Sequence, residues 1–255
     1  MLMKPLLSLE SRGIDQAMSG HWESGGKATG CLSSGVLAPS LSILQVVNFV
    51  KEQLPLWLAE NELPKKSSED CLNDALCDFL DGQAREHSAL FHFKNQIPQK
   101  GRRKVDLGAK TIKPIFVEGY TYAKNEPFFV IEGKRLPTPG TGREREYVSG
   151  ENDEVTGGIQ RFKLGEHGGT LDEAGLVGYV QKHDFKHWFY TINLWIKDMF
   201  PADVGHEQGS EETLESFQKN GKTAYSTSRN RRPQTGCKSE LIRLHHFWVD
   251  LREDK

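Results

Sequence analysis

The chain has 255 residues, with 33 lysines and arginines against 35 aspartates and glutamates, for a formal net charge of −2. That length suffices for one large α/β domain needing neither disulfides nor metal to fold, and the balanced charge gives no global electrostatic drive toward nucleic acid. No apolar run approaches the roughly 20 residues of a bilayer span, MLMKPLLSLE is interrupted too soon for a secretory signal, and Cys31, Cys71, Cys77 and Cys237 lack C-x-x-C spacing, so a cytoplasmic protein with reduced thiols and no membrane partner is expected.

Residues 1–39 are rich in glycine and serine and follow no strand or helix period, which predicts an irregular segment. GGKAT within it fails the phosphate-loop pattern twice: His21 stands where a glycine is needed, and Ala28 follows Lys27. Residues 40–255 read as a single domain with its core over about 68–200. From Ser40 to about Asn61, Leu41, Leu44, Val47, Val50, Leu54 and Leu58 recur at helical spacing, with a kink expected at Pro55. A second helix is predicted over 68–83, capped by Ser67 or Ser68, with Leu72, Leu76, Phe79 and Leu80 as its inner stripe and Gly82 near its exit. ALFHFKNQI alternates as a strand, and GRRKVDLGAK gives a second with Asp106 between Val105 and Leu107. PIFVEGYTY is a strand or an inserted hairpin. FFVIEGKRL, residues 128–136, is the next strand. A loop over 137–151, a helix around 158–164, a strand over 175–180 and an aromatic helix over 185–200 follow. A polar tail over 201–222 precedes strands at 223–228 and 241–249.

In FFVIEGKRL a continuous apolar run leads into Glu132 and Lys134, which as i and i+2 residues of a strand emerge on one face. The spacing alone is unspecific, since 35 acids and 20 lysines in 255 residues give about three acid-x-Lys triplets by chance, and three occur. Only this one follows a β-branched and aromatic run of the kind that reads as a buried strand. Its structural alternative is a solvent-exposed ion pair worth under about 1 kcal/mol. Asp106 has the alternative of a strand-end turn residue, and Glu69 that of an acid favoured by the helix dipole.

The order α-β-β-β-α-β, with an acid on the second strand and Glu-x-Lys on the third, resembles the PD-(D/E)xK, or restriction-endonuclease-like, nuclease superfamily over residues 68 to about 181. The resemblance implies an α/β fold: an αβββαβ core, a mixed sheet flanked by helices, an N-terminal helical extension and C-terminal strands. It implies a metal-dependent nuclease, cutting DNA in preference to RNA, with Asp106 and Glu132 as ligands of Mg²⁺, for which Mn²⁺ would substitute. Lys134 would be the catalytic lysine beside the attacking water and the scissile phosphate. Glu69 matches the helical acid that some members use as a further metal ligand, and Gln160 and Arg161 stand where members place phosphate-contacting side chains. Two departures are that no proline context surrounds Asp106, and that the gap from Asp106 to Glu132 exceeds what a hairpin needs, which leaves Glu118 as a rival acid. Stand-alone nucleases of this kind are often components of bacterial restriction or antiphage defence, which implies a homodimer or a defence-system partner protein.

Phosphodiester hydrolysis needs an activated water, a stabilised anionic transition state and a screened leaving oxygen, and Mg²⁺ on two carboxylates and a backbone carbonyl, such as that of Gly133, provides for all three. Arg102, Arg103 and Arg135 flank the two acids as candidate phosphate contacts. Arg143 and Arg145, and Arg229, Arg231 and Arg232, form further clusters whose alternative is a solvated surface. The rival chemistry lies in HDFKH, residues 183–187, where His183 and His187 at i and i+4 approach the H-E-x-x-H zinc motif with Asp184 as the base. That reading predicts a zinc metallopeptidase. A third is a catalytically inactive nucleic-acid-binding module of the same fold, favoured if Asp106, Glu132 and Lys134 do not converge.

Overall fold

The helical and alternating stretches of the sequence assemble into a mixed seven-stranded sheet with helices on both faces. The computed structural model describes residues 39–60, 67–99, 101–151, 154–199, 212–232 and 236–253, which belong to one unit, Ala38–Lys255. The readings made on residues 1–38 lie outside the described residues.

Helix α1, Ile43–Glu60, starts later than its apolar spacing suggests. Ser42 and Gln45 cap one another, Gln45 N–H donating to Ser42 Oγ and Ser42 N–H to Gln45 Oε1, which fixes the first turn at Ile43. Ser40–Leu41 is instead a short strand, β1. The buried stripe is Val46, Val47, Val50, Leu54 and Trp57, and Leu44 faces out. Helix α2, Glu69–Glu86, is N-capped by Ser68 Oγ, which accepts from Cys71 N–H, and continues past Gly82.

Strands β2 (Phe91–Pro98) and β3 (Lys104–Thr111) follow, then the hairpin β4 (Ile115–Val117) and β5 (Tyr120–Tyr122). The hairpin turns on Glu118 and Gly119, both at positive φ, as a two-residue turn of this hand requires. With β1 it forms a separate three-stranded sheet. The inserted hairpin accounts for the long gap between Asp106 and Glu132.

Strand β6, Pro127–Leu136, is followed by α3 (Gly158–Lys163), β7 (Glu173–Val180) and α4 (Phe185–Met199). Strands β8 (Glu215–Asn220), β9 (Thr223–Arg231) and β10 (Leu241–Asp250) complete the order β2-β3-β6-β7-β10-β9-β8. Strand β8 falls within the stretch expected to be a polar tail. All six of its residues are exposed, so it lacks alternation, and its antiparallel pairing with β9 is what makes it a strand. Strands β6, β7 and β10 run parallel to one another, and the outer pairs are antiparallel.

The pleat sorts side chains between two cores. Phe129 and Ile131 of β6 join Val177 and Tyr179 of β7 against α1 and α2, while Val130 and Leu136 join Leu176 and Val180 against α3 and α4. By the same alternation Glu132 and Lys134 fall on the α3–α4 side and Gly133 on the α2 side. No helix among the described residues is long and apolar enough to cross a membrane.

Candidate active site

The site forms where two strands part. The β3–β6 ladder pairs Leu107 with Ile131 and stops there. The next free N–H, that of Gly133, donates to Asp106 Oδ2 at 2.8 Å, so a carboxylate replaces a ladder carbonyl. Gly133 is glycine for a packing reason: a Cβ there would collide with Asn73 Oδ1 of α2. Asn73 is itself fixed by Tyr179, whose hydroxyl donates to that oxygen at 2.8 Å.

Glu132 and Lys134 are 1% and 6% exposed, so the solvated ion pair does not describe them. Lys134 Nζ lies 3.2 Å from Glu132 Oε1 and 2.7 Å from Glu69 Oε1. The other Glu69 oxygen accepts from the Arg135 backbone N–H at 3.1 Å. Glu69 thus anchors the lysine and the strand end in this structure. Arg161 Nη1 meets Glu132 Oε1 at 2.9 Å, and Arg161 Nε donates to Val155 O.

Burial by itself would raise the Glu132 carboxyl, but the Lys134 ammonium, then His167 and the Arg161 guanidinium, overrule it and hold it down to about 2. Asp106 goes the other way. Burial first, and the charge of Glu132 second, push it up to about 8. Burial opposes the charge on Lys134, yet Glu132, Glu69 and Asp106 outweigh it and drive the ammonium above its ordinary value.

The structure adds a residue that the sequence did not single out. His167 is fully buried, and its Nδ1 lies 3.3 Å from Glu132 Oε2. Glu132 Oε2 and both His167 ring nitrogens are buried without hydrogen-bond partners. The loop carrying His167 is held from three sides: Arg232, itself buried, donates to the carbonyls of Phe162, Gly168 and Leu171. Arg232 thus leaves the expected surface cluster to serve as an internal clamp. The only local sequence signal for His167 is a lone histidine among turn glycines, with Gly165 and Gly168 both at positive φ, between two elements that border β6.

Other expectations come out differently. Gln160 Oε1 accepts from Gly150 and Gly157 N–H, and the first N–H groups of α3 donate to the carbonyls of Glu146, Tyr147 and Val148. The opening of α3 is thus satisfied internally, and Gln160 and Arg161 both point to internal partners. Arg102 is exposed, Arg103 pairs with Glu166 at 3.5 Å, and Arg135 Nη1 donates to Ser67 O. Arg143 pairs with Glu146 and Arg145 with Asp198. Glu118 is drawn away to the start of α1, where Oε1 accepts from Ile43 N–H. HDFKH does not build a helical histidine pair: His183 precedes α4 at φ +56°, and Asp184 caps that helix by accepting from His187 N–H.

No protein-family model, curated protein or solved structure matches this chain.

Among the described residues no three His, Cys, Asp or Glu side chains are grouped as a ready metal cage. The donors of Asp106 and Glu132 nevertheless suit a hard divalent cation. They are two carboxyl groups in one buried site, with an oxygen of Glu132 left unpartnered.

Proposed function

We propose that this chain is a metal-dependent phosphodiesterase that cleaves nucleic acid, with DNA the substrate to test first. The observation that carries the reading is the convergence of Asp106, Glu132, Lys134 and Glu69 at the point where β3 and β6 separate. The arrangement α2-β2-β3-β6-α3-β7, antiparallel through the first three strands and parallel between β6 and β7, supports a restriction-endonuclease-like core.

Asp106 and Glu132 would hold a Mg²⁺ or Mn²⁺ ion, which when bound supplies Lewis-acid polarisation of a phosphoryl oxygen and lowers the pKa of water. Arg161 fixes one oxygen of Glu132, leaving the other facing His167. Lys134, held by Glu69, presents a permanent positive charge where phosphate charge develops, and its ammonium can orient the attacking water. Burial strengthens both effects by excluding competing solvent.

A second reading is favoured by one observation: Glu132 is already neutralised by Lys134 and Arg161. On that reading the fold binds nucleic acid without cutting it. Calorimetric metal titration beside single-turnover cleavage separates the two. The wild type should cut in Mn²⁺ and stop in EDTA. Glu132→Ala should lose metal binding and cleavage together, whereas Lys134→Met should bind Mn²⁺ at least as tightly, because a competing cation is gone, and slow by about a hundredfold or more. Cleavage that survives full chelation, or Lys134→Met cutting at the wild-type rate, would remove the mechanism.

A further inference from the structure

A cleft of about 470 Å³ opens beside the carboxyl ends of the parallel strands β6 and β7. Its walls come from the loop after β6, with Thr138, the loop after β7, with Lys182 and His183, and α4, with His187, Trp188 and Trp195. We infer that this cleft receives one unpaired nucleobase of the substrate strand. The inference rests on the nuclease reading and deepens it to a preference for single-stranded or frayed nucleic acid.

The lining is a stack of rings rather than an aliphatic trough. His183 and His187 lie face to face with centroids 4.1 Å apart, and Trp188 meets His187 edge-on at 5.2 Å. Trp188 is buried and anchors the group to the core, while both histidines are exposed. Trp195 stands 6.0 Å from Trp188, with the Arg145 guanidinium 6.0 Å from its ring. His183 holds a left-handed backbone conformation that residues other than glycine seldom adopt, and such strain gathers at ligand sites.

Flat rings beside Lys182, Thr141 and Thr191 match the chemistry of a nucleotide, with a π-face to stack, polar edges to hydrogen-bond and a phosphate to pair, while Glu144 on the same lining can accept from a base amino group. The volume suits one nucleotide and excludes a duplex, whose base faces are covered by their neighbours. Position agrees as well. Thr138 is four residues beyond Lys134, at most about 13 Å at ~3.3 Å per extended residue, and so within a few nucleotides of strand. The carboxyl edge of parallel strands is where open α/β sheets hold ligands.

The test measures binding in EDTA, so that cleavage plays no part. Titrations use a short single-stranded oligonucleotide carrying 2-aminopurine, the same strand with abasic sites, and the blunt duplex. The base-containing single strand should bind about tenfold or more tightly than either competitor. Trp195→Ala and His187→Ala should each weaken it by about 5- to 100-fold, and Trp195→Phe should recover much of the loss. Duplex affinity should not move, and His187→Ala, a change at an exposed residue, should melt with the wild type. Equal binding of all three oligonucleotides, no binding of any, or ring variants that bind the single strand as wild type does, would each overturn the cleft. Cleavage in Mn²⁺, measured separately, keeps the two proposals apart: ring-dependent binding without cleavage sinks the nuclease alone, and cleavage with ring-independent binding sinks the cleft alone.

Discussion

His167 sets two buried ring nitrogens, neither with a hydrogen-bond partner, against a carboxylate oxygen in the same condition. Unpaired polar atoms in a folded interior cost about 1–3 kcal/mol each, and they concentrate where an ion or a reaction completes them. A histidine kept only for stability would not be left this way. Replacing it with an apolar residue of similar volume should therefore cost the fold little. His167→Leu is expected to melt within a few degrees of wild type, since the loss of the ring's approach to Glu132 is offset by relief of the imidazole's desolvation. The same change frees Glu132 on one side and should weaken Mn²⁺ binding by about 10- to 100-fold, the usual effect of removing a group that orients a ligand. Calorimetric titration beside thermal melting reads both quantities. A variant that loses several kcal/mol of stability while binding metal normally would make His167 a packing residue.

At the scale of elements, the site depends on how closely α2 lies against β6. Gly133 removes the one side chain that would hold them apart, and Asn73 occupies the space. Gly133→Ala should drive Asn73 from its hydrogen bond with Tyr179 and cost about 2–4 kcal/mol, from overpacking plus a lost buried partner. Because the three atoms nearest the added Cβ all belong to Asn73, the Asn73→Ala background should recover more than about 1 kcal/mol of that loss in a denaturation cycle. Additive costs would mean that some other contact sets the spacing. None of this closeness is visible in sequence, where Gly133 is simply the residue between Glu132 and Lys134. What was legible were elements with a clear period, an alternation or an unbroken apolar run: α1, α2, β2, β3, β6, α3, β7, α4, β9 and β10. These carry Glu69, Asp106, Glu132 and Lys134, so their meeting could be anticipated. The strand β8 was hidden because its residues are all exposed and only pairing defines it. His167 and Arg232 were hidden because their work is tertiary: a loop histidine gains meaning only from Glu132, and an arginine in a basic run becomes a clamp only when three carbonyls surround it.

Across the whole molecule, a buried polar chain ties the loop after β6 to the far half of the sheet. His246 of β10 sits 2.9 Å from Tyr147 Oη through Nδ1 and 2.9 Å from Ser228 Oγ through Nε2. Trp248 Nε1 donates to the same Tyr147 hydroxyl, and Asn230 Nδ2 to the same serine. Burial first, and neighbouring His245 second, hold the His246 imidazole neutral down to about pH 3, below its ordinary 6.5. The folded state then binds fewer protons here than the unfolded chain between those values. This contribution is intact above about pH 6.5 and is lost progressively as pH falls toward 3. By pH 4 the folded protein should have given up on the order of 3 kcal/mol through this residue, from a shift of about 2.5 pH units below the unfolded pKa at 1.36 kcal/mol each. Carboxylates add their own slope at low pH, so the measurement is a difference: urea unfolding of wild type and His246→Gln across pH 4 to 8. Glutamine retains donor and acceptor capacity but does not titrate in this range. The variant should start less stable at pH 8 and close the gap as pH falls from 6.5 to 4. Two profiles that stay parallel through that interval would show that His246 takes up its proton in the folded protein as readily as in the unfolded one.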